Sequence, residues 1–109
     1  MRKGGYVYIL TNRPGGTLYV GVTADLEKRF SEHRLGQASK FTHRYNLHRL
    51  VHYEAFDEIT YAIEREKQLK AWRREWKVAL IEAANPNWDD ISKDLWAASN
   101  APPLQFTSS

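Results

Sequence analysis

The chain reads as an α+β domain: a small three-stranded sheet, antiparallel with a mixed arrangement left open, flanked by helices in the order β-β-α-β-α-α. Three observations predict this. Two alternating runs, Tyr6-Val7-Tyr8-Ile9-Leu10 and Tyr19-Val20-Gly21-Val22-Thr23, are joined by a link containing Arg13-Pro14-Gly15-Gly16. A third β-rich run spans Arg49 to Phe56. The remaining long segments carry apolar residues at helical spacing. A chain that opens on a hairpin favours antiparallel pairing over a doubly wound sheet.

The hairpin register follows from its loop. With Arg13 to Gly16 as the turn, Leu10 faces Tyr19 and Tyr8 faces Gly21. One face then holds Val7, Ile9, Val20 and Val22 and meets the core; the other holds Tyr6, Tyr8, Tyr19 and Gly21. A helix starts after Thr23 or Asp25, acting as cap, and stops at Gly36, with Leu26, Phe30 and His33 on one stripe. Arg29 and His33 are four apart and therefore neighbours on its surface. Residues Gln37 to Leu47 read as a loop with a short helix, basic at Lys40, His43 and Arg44, with Phe41 and Tyr45 interleaved.

After the third strand, Asp57 is expected to cap a helix from Glu58 to Trp72 with the stripe Ile59, Ala62, Ile63 and Leu69. Glu66 falls inside that stripe, so its carboxylate needs a cation such as Arg29 or Lys70, or a metal. A further helix runs from Arg73 to Ala84, with Trp72, Trp76, Leu80 and Ala83 expected inward. Asn85-Pro86-Asn87 breaks it, and Trp88 to Trp96 reads as a last short helix packing through Trp88, Ile91 and Leu95. Residues 1–96 form the domain and 97–109 read as a flexible tail.

A chain of 109 residues is long enough for one modest core. It contains no cysteine, which removes disulfide and thiolate-zinc chemistry and suits a reducing cytoplasm. The apolar run after the basic start is too short for a signal segment or a membrane span. The net charge of +3 is unevenly spread. Residues 1–81 hold 15 Lys/Arg against 9 Asp/Glu, and the remainder one Lys against four acids. A basic body suits a polyanionic partner. Lys40, Arg44, Lys70, Arg73, Arg74 and Lys77 are the candidate phosphate contacts.

Phosphate-binding glycine loops, a serine elbow and a zinc pattern are all missing. His48 and His52 lie at a strand entrance, where a four-residue spacing does not converge on a metal, and read as surface histidines. The four tryptophans read as packing anchors. What remains is an ordered set: Tyr8, Tyr19, Arg29, His33 and Glu66. With Tyr6-Val7-Tyr8, Tyr19-Val20-Gly21, Arg29 ten residues after Tyr19, His33 four further on and Glu66 in a later helix, the chain resembles the GIY-YIG nucleases, in particular small stand-alone bacterial members.

The resemblance covers roughly residues 5–96 and implies a divalent-metal-dependent endonuclease acting on DNA, with RNA left open. One ion, Mg²⁺ or Mn²⁺, would sit on Glu66. Tyr8 and Tyr19 would line the active face, either one serving as base, with Tyr8 favoured. Arg29 would hold the scissile phosphate and His33 would bond or relay for a tyrosine. This agrees with the chemistry. A guanidinium matches phosphate bidentately, and one carboxylate with waters suits Mg²⁺. A phenol, with a pKa near 10, needs help to act as a base. Two departures stand out: Tyr6 replaces the first glycine, and Val78 stands where many relatives carry asparagine. No separate DNA-reading domain is visible, so specificity would fall to a protein partner. The alternative is a nucleic-acid-binding module of the same fold with weak or lost catalysis.

Overall fold

The computed structural model describes residues 4–35 and 40–93. Strands β1 (Gly5–Thr11), β2 (Leu18–Thr23) and β3 (Arg49–Phe56) form one sheet in the order β2-β1-β3, antiparallel throughout. Helices α1 (Leu26–Arg34) and the short α2 (Lys40–Arg44) separate β2 from β3, and α3 (Ile59–Ala71) and α4 (Arg74–Ala84) follow. The predicted class and order hold, with α2 as the short helix expected within the loop.

The hairpin adopts the expected register, pairing Leu10 with Tyr19 and Tyr8 with Gly21. Gly15 takes φ +72°, which a side chain would resist, and the Gly16 N–H closes the turn onto the Arg13 carbonyl at 2.8 Å. Arg74 donates to the carbonyls of Gly15 and Gly16 at 2.8 and 2.7 Å, tying the turn to the start of α4.

The sheet is buried on both faces, whereas the sequence assigned only the aliphatic face to the core. Val7, Ile9, Val20 and Val51 pack with Ala62 and Leu69 of α3, Ile81 of α4 and Trp88. On the opposite face, Tyr8, Leu10 and Leu50 pack with Leu26 and Phe30 of α1 and with Leu47. The stripe on α1 that ends at His33 is what covers the tyrosines.

Asp25 caps α1 as expected, accepting from the Lys28 N–H at 3.1 Å. The N-cap of α3 is Glu58, not Asp57, and its side chain does not cap the helix. The inward face of α4 also differs. Ile81 is buried, with Val78 and Leu80 packed beside the core, while Trp76 is 51 % exposed and Ala83 is exposed. The reason is a break at Trp72, whose extended backbone (φ −69°, ψ 149°) ends α3. A stripe extrapolated through Trp72 therefore loses its phase.

Trp88 does not begin a helix. It sits in the left-handed region at φ +58°, with its ring buried and its Nε1 donating to Glu82 at 2.7 Å. Asn85 stabilises the bend: its amide donates to the carbonyls of Val51 and Asp89, and its oxygen accepts from the Asp89 N–H. The chain then runs beside β3, where the Ile91 N–H meets the Leu50 carbonyl at 2.8 Å. Leu95, Trp96 and the 97–109 tail lie outside the described residues.

His52 is not a surface histidine. Its side chain is 12 % exposed, and its Nε2 lies 2.8 Å from Glu54, which also takes two hydrogen bonds from Arg65 of α3. His52 and Glu54 pair with Ile9 and Val7, so they point to the face that α3 covers. Burial raises the Glu54 carboxyl, but the bonds from Arg65 and His52 outweigh it and hold the pKa below the ordinary value. His48 is half-buried, and its Nδ1 is buried with no hydrogen-bond partner among the described residues.

Candidate active site

Tyr8 projects from the central strand towards α1, where its hydroxyl lies 2.9 Å from His33 Nε2. Gly21 makes this possible, because a Cβ there would overlap the Tyr8 ring and hydroxyl. His33 is fully buried, and its Nδ1 lies 3.0 Å from the Thr42 hydroxyl on α2. A neutral imidazole has one N–H, so the two bonds share a direction. If Tyr8 donates to Nε2, then Nδ1 donates to Thr42. Three elements thus form one hydrogen-bonded chain.

Burial, followed by the Arg29 charge, lowers the His33 pKa to about 4. The imidazole therefore stays neutral where a free histidine, at 6.5, would begin to charge. The linkage sign is clear. As pH falls through 6.5 the unfolded chain binds a proton that the native state refuses until about 4. Stability is full above 6.5 and falls across that window by on the order of 3 kcal/mol. Urea unfolding between pH 7 and 4 should show this slope in the wild type and a flatter one in His33→Gln.

Tyr19 lies half-buried on β2, its ring 6.3 Å from Tyr8 and 5.4 Å from His33. Phe41 of α2 stacks on it at 6.1 Å, and Tyr45 lies 4.8 Å beyond Phe41. Burial is the main cause that pushes the Tyr8 phenol up; Tyr19 and Glu66 add to it and Arg29 opposes it. The charges of Arg29 and Glu66 thus both act on Tyr8. Arg29 is 42 % exposed and 3.4 Å from Glu32, so its guanidinium remains accessible. Glu66 is 15 % exposed and pairs with Lys70 at 2.8 Å, one of the two cations the sequence offered it.

The predicted basic residues divide by role. Lys70 and Lys77 line a 300 Å³ cleft with Leu18, Tyr19, Val20 and Phe41. Lys40 and Arg44 are exposed on α2, and Arg44 lies over Tyr45 at 5.7 Å. Arg73 lies over Trp76 at 5.7 Å, and Arg74 is the hairpin clamp described above. Val78 packs against the aliphatic core, so this position is structural here. Sequence reasoning missed Thr42. A threonine in a five-residue helix carries no periodic signal, and only the fold brings it to His33.

Among the described residues no group of three or more His, Cys, Asp or Glu is arranged to hold a metal. A mostly buried carboxylate whose partner Lys70 lines the cleft does fit Mg²⁺ or Mn²⁺, which keep waters and take further oxygens from substrate phosphates.

Comparison with known proteins bears on the family and the fold. The GIY-YIG catalytic domain family model matches residues 4–79. A UPF0213 protein of Haloquadratum walsbyi is 40 % identical over 77 residues, covering 71 % of this chain and 85 % of the relative. One from Staphylococcus saprophyticus is 38 % identical over 76 residues, covering 70 % and 92 %. The solution NMR structure of a UPF0213 protein from Bacillus halodurans superposes with a TM-score of 0.51 at 30 % identity, covering 83 % of this chain and 95 % of that one. With that family model matching most of the chain, and a 40 % identical relative covered over 85 % of its length, the chain belongs to the GIY-YIG nuclease family.

Proposed function

We propose that this protein is a divalent-metal-dependent endonuclease or nickase that hydrolyses phosphodiester bonds in DNA, in the cytoplasm, with a protein partner supplying specificity. The observation that carries the reading is the Tyr8–His33–Thr42 hydrogen-bonded chain beside Tyr19, with the charges of Arg29 and Glu66 both acting on Tyr8. Arg29 binds the scissile phosphate and offsets the charge that develops on its oxygens. Glu66 would hold the one Mg²⁺ or Mn²⁺, which when bound polarises the phosphate and the attacking water. As water attacks phosphorus and the bond to the leaving oxygen breaks, the water proton passes to the Tyr8 oxygen while Tyr8 passes its own to His33 Nε2; the buried imidazolium is a strong acid, so that proton returns through Tyr8 and protonates the leaving oxygen. Thr42 orients the imidazole for that transfer, and Tyr19 closes the other side of the same face. Lys70 and Lys77 track the backbone along the cleft, and Lys40, Arg44 and Arg73 extend the basic surface.

The direct test is cleavage of supercoiled plasmid, branched DNA and a matched RNA with Mg²⁺, with Mn²⁺ and with EDTA. Cleavage of DNA that needs the metal and disappears in Tyr8→Phe supports the reading. Activity that survives EDTA or Tyr8→Phe overturns the assigned site. One observation favours the binding-module alternative: burial keeps the Tyr8 phenol protonated, which makes it a poor base on its own. That alternative expects salt-sensitive binding without cleavage in any divalent metal, weakened when Arg73, Arg74 and Lys77 become alanine.

A further inference from the structure

The Lys70 ammonium occupies the Glu66 carboxylate, where the proposed ion would bind. The pair is asymmetric. Glu66 is 15 % exposed and Lys70 is 54 % exposed, one helical turn further along α3. The lysine therefore reaches inward from solvent and is held by charge more than by packing. Exposed lysine pairs of this i,i+4 kind are weak and easily exchanged. Lys70 also lines the cleft that holds Tyr19, and Lys77 lines it too. A phosphate in that cleft would offer the Lys70 ammonium a second anionic partner.

We infer that Lys70 is an internal stand-in cation: it blocks Glu66 to metal in the resting protein and moves to the nucleic-acid backbone when substrate enters the cleft. Metal binding and substrate binding then depend on each other. Each raises the affinity for the other by the same factor, because coupling between two binding events is reciprocal. Free protein holds the ion weakly, so hydrolytic chemistry is assembled only on substrate. Lys70 acts here through Glu66 and is a positioning residue, not a catalytic one.

The inference rests on the proposed assignment of the metal to Glu66, and the test separates the two. Mn²⁺ binding is measured by electron paramagnetic resonance on the whole protein, with and without a non-cleavable phosphorothioate oligonucleotide, for wild type, Lys70→Gln, Lys70→Arg and Glu66→Gln. Wild type should bind Mn²⁺ weakly alone and about tenfold or more tightly with the oligonucleotide. Lys70→Gln should bind Mn²⁺ tightly without it and gain little when it is added, while its metal-free affinity for the oligonucleotide falls. Lys70→Arg, which keeps the charge, should behave as wild type. If Lys70→Gln binds Mn²⁺ no better than wild type while Glu66→Gln abolishes binding, the inference fails and the metal site stands. If Glu66→Gln leaves Mn²⁺ binding unchanged, the ion is not on Glu66 and both fail.

Discussion

Glu66→Gln is expected to lower DNA cleavage by roughly 10²–10⁴-fold while leaving the domain folded. The substitution keeps the shape of the side chain and removes its charge. Little packing is lost, since the residue stays in the same turn of α3 against the sheet. Its ion-pair partner among the described residues is Lys70, which is 54 % exposed and can turn to solvent. A stability change within about 1 kcal/mol is therefore expected. The change in chemistry is much larger, because a neutral amide is a poor ligand for a hard divalent cation. Circular dichroism and urea unfolding check the fold, and plasmid nicking rates with Mg²⁺ check the activity. Near-wild-type nicking would remove Glu66 from the active centre.

Gly21→Ala is expected to damage site and stability together. Gly21 pairs with Tyr8 across the hairpin, and an added Cβ would overlap the Tyr8 ring and hydroxyl. The ring cannot easily yield. It is 2 % exposed, packed against Leu26 and Phe30, and its hydroxyl is held by His33 at 2.9 Å. Forcing a methyl into such a space costs about 1–3 kcal/mol. Relief requires the tyrosine to swing out, which breaks the chain through His33 to Thr42. The variant should therefore unfold earlier in urea and, where still folded, cleave DNA as poorly as Tyr8→Phe. Normal activity in folded Gly21→Ala would show that the Tyr8–His33 bond is dispensable.

The hairpin was the most legible part of the fold. Its register follows from one tight turn and period-two alternation, both local properties. The two family tripeptides meet at the Tyr8–Gly21 pair, and Tyr19 pairs with Leu10, so Tyr8 and Tyr19 become diagonal neighbours on one face once the turn is set. Helix existence was equally legible, with α3 and α4 within a residue or two of their expected ends. The phase of α4 was not. Trp72 ends one helix and Trp76 belongs to the next, so a tryptophan pair at helical spacing does not share a face of one helix. His52 misled for a similar reason. A polar residue on a strand looks solvated until α3 brings Arg65 over Glu54.

The sequence by itself determined the fold class, the strand order in time, the tyrosine pair and the family, because each rests on local spacing and residue type. Only the tertiary structure decided what surrounds those tyrosines. It buried their face under α1, neutralised His33 by that burial and aligned Thr42 behind it. These outcomes depend on how residues distant in sequence exclude water from one another. Desolvation is a property of the assembled packing, and no spacing along the chain encodes it directly.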